Sequence, residues 1–232
     1  MTESLNFFIM ARFSLEQKTE KKSKPVDFYV NWKSNDKRFQ YWNGTEEVPL
    51  ELPLKFAVIA EYHCVSGYSD KHSSRIYSNE VQKVGQDELI VRTFKPEGNI
   101  LAKGVWKDIK PSVEAQGGRY FKSIYAVLGD GTPVCFKLKG SAVAQWSTFT
   151  KEKGGGYDNP NFNSVWVEIN SAVDQKKGTV KFSVPGFSVG KAFNAKEDAM
   201  IEAHAQRIGE YMRGYFSMAE EPEMEQVDEI DF

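Results

Sequence analysis

Arg119-Tyr-Phe-Lys-Ser-Ile-Tyr-Ala-Val-Leu128, then Gly129-Asp130-Gly131, then Thr132-Pro-Val-Cys-Phe-Lys-Leu138 is the stretch that sets the fold. Two runs rich in aromatic and β-branched residues flank a Gly-Asp-Gly triplet, which is a strong signal for a β-hairpin. Strand alternation puts Arg119, Phe121 and Ser123 on one face, and Tyr120, Lys122 and Ile124 on the other. Just upstream, Lys107 to Gln116 reads as a short helix closed by Gly117-Gly118, since glycine suits the left-handed cap. Just downstream, Ser141 to Lys151 reads as a second short helix, with Val143, Trp146 and Phe149 spaced by three. Ser164 to Ile169 and Thr179 to Val184 then form another hairpin pair. Short strands with a helix between hairpin-like segments predict a mainly β (α+β) chain, an OB-like Greek-key barrel. Any α+β domain with a curved antiparallel sheet gives a similar string.

Working outward, Leu5 to Ser14 reads as a strand. Lys18 to Lys24 is a lysine-rich loop closed by Pro25. Val26 to Lys33 alternates as a half-buried strand does, with Phe28, Val30 and Trp32 opposite Tyr29. Phe39, Tyr41 and Leu54 to Tyr62 continue the β pattern. Tyr68 to Ser78 reads as a polar loop, followed by β-like Glu88 to Phe94 and by Asn99 to Trp106. Lys153 to Pro160 is a Gly- and Asn-rich loop. Ala195 to Phe216 is the one long helix. Asn194 and Glu197 form its capping box, and Ile201, Ala205, Ile208, Met212 and Tyr215 form one apolar stripe. We therefore expect an OB-like body over 1–190, an amphipathic helix over 194–217 packed on that body, and a disordered acidic tail over 218–232. Self-association through the helix stays open.

Charge is unevenly placed. The chain has 232 residues, 30 Lys+Arg and 32 Asp+Glu. Ala219 to Phe232 holds seven of those acids and no basic residue, so the remaining 25 acids face 30 basic residues. A body of about +5 carries a tail of about −7. Such a tail buries too little apolar surface to offset its ordering entropy. Its terminal Phe232 offers an apolar anchor beside carboxylates, which a partner's pocket can capture. Two cysteines, Cys64 and Cys135, point to a reducing compartment and not to a disulfide scaffold. The longest apolar runs fall far short of the ~20 residues of a membrane span. We expect a soluble cytoplasmic protein with no membrane partner.

Catalytic signals are weak. His63-Cys64 are strand neighbours on opposite faces, so they make poor joint ligands, and His204 sits mid-helix. Neither a CxxC nor an HExxH spacing exists. Gly186-Phe-Ser-Val-Gly190-Lys191 has three residues between its glycines where a P-loop needs four, and Ala192 stands where Ser or Thr would hold magnesium. Gly154-Gly155-Gly156 reads as a loop. We expect no catalytic residue, no metal site and no cofactor. A magnesium-dependent nucleic-acid enzyme would need gathered carboxylates, for which Asp27, Glu61, Glu88 and Glu168 are the available set.

Binding signals are stronger. Basic and aromatic residues interleave: Lys37 and Arg38 between Trp32 and Phe39-Gln40-Tyr41-Trp42, Lys71 and Arg75 between Tyr68 and Tyr77, then Arg92, Arg119, Tyr120 and Lys122. Cations neutralise phosphates, and ring faces stack on unpaired bases. We expect Trp42, Tyr77 and Tyr120 to stack, and Lys37, Arg38, Lys71, Arg75, Arg92, Arg119 and Lys122 to line a phosphate track. Trp106, Trp146 and Trp166 read as core.

The tail carries a family resemblance. Glu220-Glu221-Pro222-Glu223 and Asp228-Glu229-Ile230-Asp231-Phe232, following a basic aromatic-rich body, resemble bacterial and phage single-stranded DNA-binding proteins. The blocks Phe39 to Gly44, Ile76 to Val81 and Gly117 to Tyr125 are similar to phage proteins of this kind. The tail follows the helix almost directly, with no Gly/Gln/Pro-rich linker, and Asp231 stands where the cellular proteins have a penultimate proline. Both departures favour the phage type. The resemblance implies an OB fold and sequence-independent single-strand binding in replication or recombination. It also implies a tail in which Asp228, Glu229, Ile230, Asp231 and Phe232 recruit a polymerase, helicase or nuclease. For a phage protein the compartment is the host cytoplasm. The rival reading is a protein–protein interaction module, or a host-factor inhibitor, acting through the tail.

Overall fold

The computed structural model describes residues 24–94, 98–153, 162 and 164–220, the side chains of 217–220 excepted. The strand expected over Leu5 to Ser14, most of the Lys18 to Lys24 and Lys153 to Pro160 loops, and the acidic tail beyond Glu220 lie outside them. The described residues form eleven strands and three helices. In order these are β1 (Phe28–Lys33), β2 (Arg38–Trp42), β3 (Glu47–Leu50), β4 (Leu54–Ser69), β5 (Ser74–Ser78), β6 (Leu89–Thr93), β7 (Ile100–Gly104), α1 (Trp106–Ala115), β8 (Gly118–Leu128), β9 (Pro133–Lys139), α2 (Ser141–Lys153), β10 (Val165–Lys177), β11 (Val180–Ala192) and α3 (Ala195–Glu220). The fold is mainly β.

The hairpin read from Gly129-Asp130-Gly131 is the centre of the sheet. β8 and β9 pair antiparallel, with Ser123 opposite Lys137 and Ile124 opposite Phe136. The main path runs β3-β2-β1-β9-β8-β4-β5-β6-β7. β1 and β9 are parallel, so the sheet is mixed. The sixteen-residue β4 organises the rest. One edge pairs with β8 along most of its length. The other pairs with β10 at its start and with β5 at its end.

β4 therefore feeds two lobes. The first is walled by β10, β4, β8, β9 and β1. Its core gathers Val30, Phe56, Ile124, Phe136, Leu138, Val167 and Ile169, and α2 adds Trp146 and Phe149. The strand ladder stays open between β1 and β11. That seam is bridged by Trp32 Nε1 donating to the Ser183 carbonyl (2.9 Å), Ser183 N–H donating to Ser34 Oγ (2.7 Å) and Ser183 Oγ donating to the Ser34 carbonyl (2.6 Å). The enclosure is barrel-like, but it is not a closed barrel. The second lobe packs β5–β7 and α1 around Val65, Ile76, Leu89, Val91, Ile109 and Val113.

The helix α3 lies on the outer face of the first lobe. Its Ile208 and Met212 cover Tyr62, Tyr125 and Cys135, and Ile201 covers Ala57 and Trp166. Asn194 Oδ1 accepts from the Lys196 and Glu197 N–H groups, and Glu197 returns a bond to the Asn194 N–H at 3.0 Å. This is the reciprocal box read from the sequence.

Two readings change. Tyr68 to Ser78 is not a loop: it closes β4, turns at Asp70–Ser73 and forms β5. Its polar composition hides an alternation in which Ser74 and Ile76 point inward and Arg75 and Tyr77 outward. The last hairpin is also far longer than the pattern predicts, with thirteen residues per strand. The residues it adds, 170–177 on β10 and 185–192 on β11, are mostly polar or interrupted by Pro185, Gly186 and Gly190, so the local strand signal stops before the strands do.

Candidate nucleic-acid interface

Strand register decides which of the expected binding residues meet. Tyr77 stands opposite Ser66, and Arg75 opposite Tyr68. Ser66 stands opposite Arg119 on β8, and Cys64 opposite Phe121. Phe121 faces Lys139 on β9, and Ser123 faces Lys137. Lys137 stands beside Asn31 on β1, and Lys33 pairs with Arg38 on β2. On the far side Tyr77 pairs with Arg92 of β6. Cross-strand partners share a face. Arg92, Arg75, Tyr77, Tyr68, Arg119, Phe121, Lys139, Lys33, Arg38 and, two residues on from Gln40, Trp42 thus lie on one face of seven adjacent strands. Six strand spacings of about 4.8 Å make this band about 29 Å wide.

α3 covers the half of this face that carries Tyr62, Tyr125 and Cys135; among the described residues the half with the cations stays open. Trp42 is 60% exposed, Tyr68 52% and Tyr77 40%. Arg119 is held by the carbonyls of Glu114 and Gly118 at 3.0 and 2.8 Å. Arg92 donates to the Gly98 carbonyl at 3.0 Å. Lys139 lies over the Phe121 ring. Arg75 makes no ion pair with any described residue. At the β2 edge the charge is partly matched: Lys33 bonds Glu47, and Arg38 reaches Glu51 at 3.2 Å.

Two expected residues face inward and are corrected. Lys122 is 5% exposed and bonds Glu61 at 2.6 Å, whose other oxygen accepts from Trp146 Nε1 at 3.0 Å. It belongs to a buried pair and not to a phosphate track. Tyr120 is wedged between the His63 and Trp106 rings and hydrogen-bonds His63 Nδ1. Burial raises its pKa above the ordinary phenol range. The even positions of β8 turn to the core because Ile124, Ala126 and Leu128 do. Lys71 lies in the exposed β4–β5 turn. Lys37, beyond the end of β1, bonds Asp174 of β10 at 2.8 Å.

The boundary between α3 and the open half holds a cleft of about 610 Å³, lined by Tyr29, Asn31, Arg75, Tyr77, Phe121, Lys137 and Tyr215 among others. Its floor is a buried network that the sequence reading missed. Lys137 Nζ bonds Glu80 Oε1 and Ser123 Oγ, both at 2.6 Å, and Tyr125 donates to Glu80 Oε2 at 2.7 Å. Burial draws the Lys137 pKa down, whereas Cys135, Cys64 and Glu80 push it up, and the net shift is upward. Burial also raises the pKa of both thiols, and Glu80 is the carboxylate that pairs with the ammonium. The only legible signal for this network was a lysine inside an otherwise apolar strand.

At the end of the band, where β1 and β9 finish, the face turns into a second cleft of about 940 Å³ at the mouth of the first lobe. It is lined by Trp32, Lys33, Trp106, Lys110, Arg119, Tyr120, Lys139, Phe182 and the first turn of α2. Among the described residues no three His, Cys, Asp or Glu side chains gather as a metal site. Asp27, Glu61, Glu88 and Glu168 do not come together, and Glu61 is committed to Lys122. No described helix is long and apolar enough to cross a membrane. Compared with known protein families, curated proteins and solved structures, the chain matches none.

Proposed function

We propose that this chain is a non-enzymatic single-stranded DNA-binding protein of phage-type replication or recombination, and that it binds along the open half of the sheet's outer face. The observation that carries the reading is the gathering of Arg75, Tyr77, Tyr68, Arg119, Phe121 and Lys139 on that face, from four adjacent strands. Guanidinium and ammonium groups alternate there with accessible rings, the mixture an unpaired strand needs. Each stacked base contributes about 1–3 kcal/mol and requires no particular sequence. In this reading the enclosure around the first core acts as an OB-like barrel with one seam unlaced. Trp42 stacks at the β2 edge, and Asp228, Glu229, Ile230, Asp231 and Phe232 recruit replication proteins.

The test is a titration of the full chain with oligo-dT and with a duplex of equal length over a salt series. The wild type binds oligo-dT far more tightly, with quenching of Trp42. Arg75→Ala/Arg119→Ala weakens binding, and its plot of log K against log salt is shallower by about 1.4, since each lost phosphate contact removes about 0.7. Tyr77→Ala loses about 1–3 kcal/mol with the slope unchanged. Equal affinity for both nucleic acids, or an arginine variant with the wild-type slope, overturns the assignment.

A further inference from the structure

The outer half of the β10–β11 hairpin is unexplained by the binding face. On β10 the side chains of Asp174, Lys176 and Lys177 are exposed, and on β11 those of Val180 and Lys181, while Ser183 and Val184 opposite the start of this stretch stay buried against the first lobe. Lys176 and Lys181 are direct cross-strand partners. Like charges placed opposite each other destabilise a hairpin, and neither lysine has an ion-pair partner among the described residues. The nearby Asp174 is taken by Lys37 at 2.8 Å. At the tip, Val180 is 63% exposed with Lys177 opposite. An edge-blunting role needs charge, but it does not need a bare valine at the apex. At the arm's base a cleft of about 580 Å³ is lined by Asn35, Lys37, Lys176, Lys181 and Phe182. It shares Ser34, Phe182 and Ser183 with the mouth cleft, which in turn shares Lys33, Arg119 and Lys139 with the proposed strand-binding band.

We propose that this arm is a second nucleic-acid contact that engages duplex at a single-strand/double-strand junction. The Lys176–Lys181 pair takes the duplex phosphates, and Val180 sits against the terminal base pair. The like-charge pair then has a function, because a phosphate between the two ammonium groups relieves their repulsion. Apolar tips among cations are the side chains that wedge against base steps. The continuous clefts lead from the single-strand face to the arm. The inference rests on the single-strand assignment above and adds a place for the duplex.

The test compares a tailed hairpin oligonucleotide, a single strand of the tail's length, and a blunt hairpin, all with the full chain. The wild type binds the tailed hairpin about tenfold more tightly than the single strand. Lys176→Gln/Lys181→Gln and, separately, Val180→Ser abolish that preference while single-strand affinity stays within twofold. Both variants change exposed residues, and a melting temperature no lower than that of the wild type verifies their folding. A wild type with no junction preference, or variants that keep it, overturns the arm's role and leaves the single-strand assignment standing. Binding to none of the three DNAs overturns both. Loss of single-strand affinity equal to the loss on the junction makes the arm part of the single-strand site and also overturns the junction role.

Discussion

Lys137 and Lys122 are neighbours across two strands, look alike in the sequence and serve buried carboxylates on opposite faces of the sheet. Lys137 answers Glu80 beneath the α3 boundary, and Lys122 answers Glu61 beside Trp146. Removing one partner of such a pair leaves the other charge buried, at a cost of about 3–5 kcal/mol. Lys137→Met is therefore expected to lower unfolding free energy by about 3 kcal/mol in urea, and the double variant Lys137→Met/Glu80→Met by much less. A double variant that loses as much as the sum of the two singles shows that the charges are not coupled. Tyr215 gives a pH signature. Burial first, set against its bond from the Glu80 N–H, raises its pKa to about 12, from about 10 in an unfolded chain. The fold keeps the phenol form, so this stabilisation is complete below about pH 10 and is lost as pH climbs towards about 12. Stability measured across that interval falls less steeply in Tyr215→Phe; identical curves for the two proteins rule out the contribution. Strand alternation separated Arg119 from Tyr120 correctly in the sequence. It could not say which set faced solvent, because cations and rings occur on both.

Elements show where local chemistry is decisive. The cap of α3 was readable because Asn194 and Glu197 act within four residues, and Asn194→Ala is expected to cost about 1 kcal/mol of thermal stability. Gly117 was readable as a helix stop for the same reason: its φ is 91°. The structure adds that a Cβ there would run into the Tyr68 carbonyl oxygen. Gly117→Ala combines left-handed strain of about 1–2 kcal/mol with that collision across β4. It is expected to destabilise by more than 2 kcal/mol, as read from the chemical midpoint. A loss below 1 kcal/mol means that the β4 end moves aside. β5 and residues 170–177 of β10 escaped the sequence because they are mostly polar, although each pairs with a strand one short turn away. Register, and not composition, makes them strands. The cationic face escaped for the same reason, since Arg75, Arg119 and Lys139 become neighbours only when β4 lies between β5 and β8.

At the scale of the whole molecule, a body of about +5 and a segment of about −7 share one chain. In its last described side chains α3 sets Tyr215 on the Glu80 backbone and Phe216 on Tyr62, at the edge of the cleft that also holds Arg75 and Tyr77. Twelve residues follow Glu220. At about 3.3–3.6 Å each they reach at most about 40 Å, more than the width of the cationic band. In the proposed single-strand reading, charge complementarity and reach together allow the tail to compete with DNA for the same arginines. A chain cut after Met218 is therefore expected to bind oligo-dT several-fold more tightly at low salt. The gap closes as salt rises, because ions screen the tail's attraction to the body. The truncated chain also shows the steeper salt dependence: DNA then displaces small counterions from every cation and not a tethered carboxylate from some of them. Affinity and slope that both match the full chain over the whole series would exclude this competition.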